Sequence, residues 1–179
     1  MKRNTLTAVK ALAAAATMTV ASITIGMATG ARAEVAARYQ ANQWMVEAHT
    51  LNGAFNNCTI SANYSRGTKV MFMLTHDGRW SIGVMNPAFN LNPGASGQVS
   101  YWVDDVLPRG GRAMAVNDKT MLLPLENSTQ LFEEFRLGSM MNIKVGNETF
   151  QFSLNGTSAA LAALVGCARR HSQEARAPR

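Results

Sequence analysis

"KVMFMLTHDGRWSIGV", residues 69–84, decides the fold class of this chain of 179 residues. Val70 and Phe72 share one face of its first half, and Trp80 and Ile82 repeat the same spacing in its second half. A period of two is that of a β-strand. Asp77-Gly78 between the halves tolerates the positive φ angles of a tight hairpin turn. The stretch therefore predicts two antiparallel strands, and Met71 and Met73, on the other face, indicate that the first is central.

Similar alternation continues on both sides of this hairpin and predicts most of the remaining strands. The further alternating segments lie at 44–48, 58–65, 99–103, 113–116, 121–125, 141–145 and 150–154. Helical spacing replaces the alternation only in segments 128–137 and 158–168. We therefore predict a mainly β fold, an antiparallel β-sandwich or barrel-like sheet of about eight or nine strands with two short helices.

The two ends of the chain have the composition of segments outside that domain. Residues 1–33 have an order of basic, apolar and small residues, ending in Ala-Arg-Ala, that is typical of a secretory signal peptide. Its uncharged run is long enough for a membrane anchor but has few strongly apolar residues, which favours cleavage between Ala33 and Glu34 by the Sec route. Residues 34–42 are then a linker, 43–168 a single β-rich domain, and 169–179 a disordered basic tail.

The excess of basic residues is concentrated in these ends. The full chain has 17 Lys and Arg against 11 Asp and Glu. Most of the excess lies in the predicted signal peptide and in the tail, so the domain itself is near neutral. That distribution argues against nucleic acid as a partner, and a cleaved signal leaves no segment for stable membrane insertion.

Cys58 and Cys167 are the chain's two cysteines, and both lie in the predicted domain. In an exported protein an even pair of this kind usually forms a disulfide. A thiolate metal site or a catalytic thiol needs neighbouring Cys or His residues, which the spacing lacks. We therefore expect a Cys58–Cys167 disulfide that holds the last helix to the second alternating segment, in a protein of the periplasm or the cell exterior.

Candidate catalytic groups are sparse in the domain. His49 and His76 are its two histidines, and neither Ser96 nor Ser158 has the flanking glycines of a nucleophile elbow. Adjacent carboxylates such as Asp104 and Asp105 point to opposite sides of a strand, which disfavours paired acid–base chemistry. We therefore predict a non-enzymatic protein without catalytic residues.

Methionine is abundant in the predicted strands, and two methionines lie close to a histidine. Thioethers bind Cu(I), so Met71 and Met73 with His76 form one candidate copper site. Methionine on a strand is more often a filler of the apolar core. The preferred prediction is therefore no metal and no cofactor.

The polar and aromatic residues most suited to a partner lie in two places. The first is the Pro- and Gly-rich loop Asn86 to Gln98, and the second is a rim formed by Trp102, Asp104 and Asp105. The expected partner is a protein or a component of the cell envelope.

Several segments also resemble a known type of small exported alphaproteobacterial protein. They are "NNCTISANYSRG", "WSIGVMNPAFNL", "YWVDD", "LFEEFRLGSMMNIKV" and "FQFSLNGTSAALAALVGC". Such modules occur alone or appended to secreted trypsin-like proteases, and the last segment resembles the invasion associated locus B proteins, which usually have further cysteines. The resemblance implies a non-catalytic β-rich module with a role in envelope integrity or host association. A protease accessory or inhibitor and an unrecognised hydrolase are the alternative functions.

Overall fold

The computed structural model of the protein describes residues 32–174. It contains ten strands and two helices, joined by short turns and one longer loop. The elements are β1 (Ala33–Ala41), β2 (Trp44–Leu51), β3 (Ala54–Asn63), β4 (Lys69–Thr75), β5 (Trp80–Met85), β6 (Ser96–Val103), β7 (Arg109–Asn117), β8 (Thr120–Pro124), α1 (Thr129–Leu137), β9 (Met140–Val145), β10 (Glu148–Ser153) and α2 (Thr157–Glu174).

All ten strands belong to one antiparallel sheet with the order β1-β2-β3-β4-β5-β8-β7-β6-β9-β10. β1 and β10 are its edges, so the sheet is not closed. The sheet nevertheless curls. Tyr64, which follows β3, packs on Phe152 of the distant strand β10 with ring centroids 5.3 Å apart. The mainly β prediction is confirmed, including the β4–β5 hairpin, whose Gly78 has a φ of 82°.

The core lies between the inner face of the curled sheet and the two helices. Alternate residues of β4, such as Val70 and Phe72, are completely buried. The ring of Phe72 lies 5.2 Å from that of Phe135 in α1 and 5.9 Å from that of Trp44 in β2. The alternation seen in the sequence is therefore the alternation between core and outer face.

The segment 34–42 is not the linker that we predicted. Residues Ala33–Ala41 form β1, which pairs with β2 over most of its length with one irregularity between Val35 and Ala37. Most side chains of β1 are exposed, so the segment carries little of the apolar alternation by which strands are predicted. Its structure comes from backbone pairing with β2, which raises the strand count to ten.

Both helices form where expected, but α2 is longer than predicted. The Ser128 hydroxyl caps α1 by accepting from the Leu131 N–H at 3.2 Å. α2 continues past 168 to Glu174, so the first part of the predicted disordered tail is helical. Tertiary contacts explain the extension, because Arg170 donates to the Tyr39 hydroxyl of β1 at 3.0 Å and His171 stacks on Phe55 of β3.

The two predicted terminal segments extend beyond the described residues. All but the last two residues of the predicted signal peptide, and residues 175–179 of the tail, lie outside the described residues. Ala33 and Glu34, the predicted cleavage position, both lie in β1. Among the residues that the structure describes, no helix is both long and apolar enough to cross a membrane.

Candidate functional site

The predicted disulfide is present and joins α2 to the sheet. Cys58 in β3 and Cys167 in α2 are bonded, with their Cα atoms 6.2 Å apart, and both are fully buried. The bond closes a sequence separation of 109 residues. It therefore fixes α2 against the centre of β3.

The three residues of the predicted rim differ in exposure and in hydrogen bonding. Trp102 of β6 is half-buried, whereas Asp104 and Asp105 follow in an exposed turn. The Asp104 carboxylate accepts hydrogen bonds from the backbone N–H groups of Ser139, at 3.0 Å, and Met140, at 2.8 Å. Asp104 thus ties the end of β6 to the start of β9, and its oxygens are already engaged.

A cavity of about 330 Å³ lies at one end of the curled sheet and combines aromatic with polar side chains. We call it the aromatic pocket. It lies where the turn between β3 and β4, the loop after β5 and the strand β10 meet. Its walls combine aromatic and apolar side chains with polar ones, and they consist of Tyr64, Ser65, Arg66, Thr68, Val84, Asn86, Phe89, Met121, Ile143, Phe150, Gln151 and Phe152.

One wall of the pocket is a turn with an unusual backbone. Arg66 has φ 55° and ψ 30°, a left-handed conformation that is uncommon outside glycine, and Gly67 follows with φ 71°. A side chain at Gly67 would start 3.0 Å from the Pro87 ring, so glycine is needed there. The turn is closed by the Tyr64 N–H, which donates to the Thr68 carbonyl oxygen at 2.7 Å. This geometry places the exposed Arg66 side chain at the rim.

The loop after β5 forms the second wall and is held by side-chain hydrogen bonds. Asn86 donates to the Thr68 hydroxyl at 2.7 Å and accepts from the Ala88 N–H at 2.7 Å. Lys119 donates to the Phe89 carbonyl oxygen at 2.6 Å, which fixes the half-buried Phe89 ring in the pocket. The pocket is therefore preformed, as binding sites for apolar ligands usually are. This loop was one of the two places predicted for a partner.

Tyr64 connects the pocket to the edge of the sheet. Its hydroxyl donates to the Ser153 carbonyl oxygen at 2.5 Å, and burial raises the pKa of its phenol to about 12. The phenol therefore stays neutral at any physiological pH and remains a hydrogen-bond donor. Phe150, by contrast, is 39% exposed at the mouth. The Tyr64 ring is thus held in place by its hydrogen bond, whereas the Phe150 ring is accessible to a partner.

The outer face of β2, β3 and β4 carries a second groove of about 310 Å³, which we call the polar groove because most of its lining residues are polar. His49 lies there, bonded through Nε2 to the Thr59 hydroxyl at 3.0 Å. Burial lowers the pKa of His49, Glu47 opposes the shift, and Arg38 adds to it. The side-chain oxygen of Asn57 is buried without a hydrogen-bond partner.

The structure separates the groups considered for metal binding and catalysis. Met71 and Met73 line the polar groove beside His49, whereas His76 lies in the exposed turn of the β4–β5 hairpin. Within residues 32–174, no group of three or more His, Cys, Asp and Glu residues could hold a metal ion. Glu134 and Arg109 form a two-point ion pair at 2.7 and 2.8 Å, which lowers the pKa of the Glu134 carboxyl.

Sequence patterns alone did not reveal the aromatic pocket, because its walls are far apart along the chain. Two signals were nevertheless present. The loop at 86–98 is rich in prolines and glycines. Phe150 is a large apolar residue whose two neighbours in sequence, Thr149 and Gln151, are polar. What joins them is the curl of the sheet, which depends on tertiary contacts such as that of Tyr64 with Phe152.

This fold has a counterpart among solved structures. The chain is similar to the crystal structure of invasion associated protein B from Bartonella henselae, with a TM-score of 0.52 and 16% sequence identity. The similarity covers 75% of this chain and 98% of that one. No protein-family model matches the chain, and no curated protein matches it. The resemblance inferred from sequence is thus supported at the level of the fold.

Proposed function

We propose that the protein is an exported, non-catalytic binding module that holds a partner at the aromatic pocket. The observation that carries this proposal is the preformed, aromatic-walled cavity with Arg66 at its rim, whose guanidinium has no carboxylate within ion-pair distance among residues 32–174. A concave apolar site with a few fixed polar groups is the usual form of a binding site. A partner protein or an envelope component would insert an apolar group there.

Export is supported by two independent features. The Cys58–Cys167 disulfide is of a kind that persists in oxidising compartments and is rare in the cytosol. The first 33 residues have the pattern of a signal peptide. Both support a working protein of the periplasm or the cell exterior.

The state of the histidines supports a binding role over catalysis. His49 Nε2 is bonded to the Thr59 hydroxyl, and the same nitrogen lies 4.0 Å from one oxygen of Glu47, whose other oxygen accepts from Arg38 Nε at 2.7 Å. The hydroxyl and the carboxylate thus meet one ring nitrogen instead of the two that a relay would use. A general base needs a histidine that a carboxylate orients toward a nucleophile. The name of the structural neighbour refers to invasion, and we extend that to this chain as a proposed role in association with a host.

Photo-crosslinking in cells of the organism that produces the protein tests the proposal. A benzoylphenylalanine at Phe150, which is 39% exposed at the pocket mouth, should give one adduct of defined mass. The same group at Val116, which is 53% exposed on β7, is the matched control. Arg66→Glu in the Phe150 background should reduce the adduct, because it reverses the charge at the rim.

Equal adducts from both positions, or none from Phe150, would contradict a partner site at the pocket. Mass spectrometry of the adduct identifies the partner. A secreted trypsin-like protease in it would favour the role of protease accessory, and an envelope or host protein would favour the role proposed here.

A further inference from the structure

The backbone N–H and C=O groups of β10 point alternately toward β9 and away from it. The Leu154 N–H donates to the Ser139 carbonyl oxygen at 2.8 Å, toward β9, whereas the Ser153 carbonyl oxygen points away from β9 to Tyr64. β10 pairs with β9 without any irregularity, so this alternation continues along the strand. The N–H and C=O groups of Thr149 and Gln151 therefore point out of the sheet edge.

The two edges of the sheet differ in how they are protected. β1 has an irregularity between Val35 and Ala37 and carries the charged residues Glu34 and Arg38. Irregular pairing and charged side chains are the usual means by which proteins prevent additional strands from joining an edge. β10 is regular, and its one charged residue, Glu148, stands at its first position. The β10 edge is therefore open to another strand from Thr149 to Gln151, whereas Tyr64 covers it at Ser153.

The open edge borders the aromatic pocket. Phe150 and Phe152 of β10 project to the same face of the strand, and both line the pocket. A strand added beside β10 would direct every second side chain toward that same face. The pocket, of about 330 Å³, lies where an apolar side chain of such a strand would enter.

The positive charge of Arg66 at the rim indicates a second feature of the ligand, an acidic group near the apolar side chain. Among the described residues, no carboxylate lies within ion-pair distance of the Arg66 guanidinium. The left-handed backbone of Arg66 holds its side chain at the rim. A planar guanidinium without a partner is suited to a carboxylate of the ligand.

We propose that β10 accepts an extended peptide segment of a partner protein as an additional strand of the sheet. Its backbone pairs with Thr149 and Gln151, an apolar side chain enters the aromatic pocket, and an acidic side chain pairs with Arg66. This inference rests on the proposed function and specifies the partner as an extended, acidic and apolar peptide. Strand addition of this kind obtains affinity from the main chain and specificity from the pocket.

A displayed library of random 12-residue peptides, selected on the full oxidised chain, supplies the probe. The selected peptides should combine apolar residues at alternate positions with Asp or Glu. Their affinities are measured by fluorescence anisotropy for the wild type and for Thr149→Pro. Proline removes the outward N–H without disturbing the pairing with β9, since edge positions tolerate it, and the loss of one such hydrogen bond should weaken binding about tenfold.

Two variants serve as controls for this measurement. Thr149→Val keeps the N–H and the β-branched shape, and Val35→Pro places a proline on the opposite edge. Both should leave the affinity within about threefold of the wild type. A urea titration of each variant checks that the sheet is intact.

The inference is overturned if Thr149→Pro binds the peptides as well as the wild type, or if the library yields no saturable ligand. Sedimentation distinguishes another occupant: a wild-type dimer that Thr149→Pro dissociates would mean that the edge pairs with a second copy, which also overturns it. Phe89→Ala separates the two proposals. Peptides that lose affinity in Phe89→Ala but not in Thr149→Pro leave the pocket function standing without strand addition, whereas insensitivity to both contradicts both.

Discussion

The Asp104 carboxylate accepts two consecutive backbone N–H groups, those of Ser139 and Met140, from a residue whose own φ is 47°. Removing it leaves two donors without their partner and an alanine in a left-handed conformation. We expect Asp104→Ala to lower the free energy of unfolding by about 1–3 kcal/mol. Asp105→Ala, at an exposed neighbour, should change it by less than about 0.5 kcal/mol. Urea unfolding of both variants measures the difference, and equal effects would show that the carboxylate has no structural role.

His49 should make the stability of the protein depend on pH. Burial lowers the pKa of His49 in the folded protein, against an opposing effect of Glu47 and a supporting one of Arg38. The unfolded chain then binds a proton more readily, so stability is highest above about pH 6.5 and falls as the pH decreases below it.

The variant His49→Gln should lose this part of the pH dependence. His76→Gln, in the exposed β4–β5 turn, should keep it. Urea midpoints between pH 5 and pH 8 provide the measurement. A wild type and a His49→Gln variant with parallel pH curves would show that His49 does not carry the effect.

At the scale of elements, the junction between α1 and β9 has no room for a side chain. A Cβ at Gly138 would lie 2.1 Å from the Val103 Cγ1 and 2.6 Å from the Glu134 carbonyl oxygen. Gly138→Ala should therefore cost about 3 kcal/mol of stability or more, because the helix end and β6 must move apart. Gly97→Ala is the matched control, since a Cβ there meets nothing within 4 Å. Similar urea midpoints for the two variants would contradict the steric argument.

The attachment of α2 depends on the disulfide as well as on packing. Replacing Cys58 and Cys167 together by alanine opens a loop of 109 residues, which corresponds to about 5 kcal/mol of chain entropy. The double variant should therefore unfold at much lower urea concentration. The reduced wild type is the control, because it loses the bond but keeps both sulfur atoms in the core. Equal stability of the oxidised and reduced protein would refute this role.

Elements with strong side-chain patterns could be predicted, and those made by pairing could not. The β4–β5 hairpin and the Ser128 cap follow from local residues, so the sequence alone was sufficient. Most side chains of β1 are exposed, and the strand forms because its backbone pairs with that of β2. The local sequence pattern does not predict such pairing. The last turns of α2 likewise depend on a distant residue, Tyr39.

For the candidate site, sequence reasoning found one of its parts. The loop after β5 was chosen for its prolines and glycines, and it does form a wall of the aromatic pocket. The rim of Trp102, Asp104 and Asp105 is predicted from its polar and aromatic residues, but both carboxylate oxygens of Asp104 accept backbone N–H groups. Which polar group is free for a partner depends on three-dimensional pairing, which spacing along the chain does not encode.

At the scale of the whole molecule, stability should fall from the centre of the sheet to its two edges. β3 and β4 have neighbours on both sides, and α2 covers them and is bonded to β3. β1 and β10 have one neighbour each. Local opening costs least where few buried contacts are lost, so amide protection should follow the same order.

Hydrogen exchange followed by mass spectrometry tests this order and the nature of residues 34–41 together. Peptides from β3, β4 and the first half of α2 should exchange last, and those from β1 and β10 first among the strands. β1 should still exchange at least about tenfold more slowly than the same segment in urea, because its N–H groups that face β2 are paired. Exchange of β1 at the unfolded rate would restore the linker interpretation. Protection of β10 equal to that of β4 would mean that its edge is already covered, in which case it could not accept a partner strand.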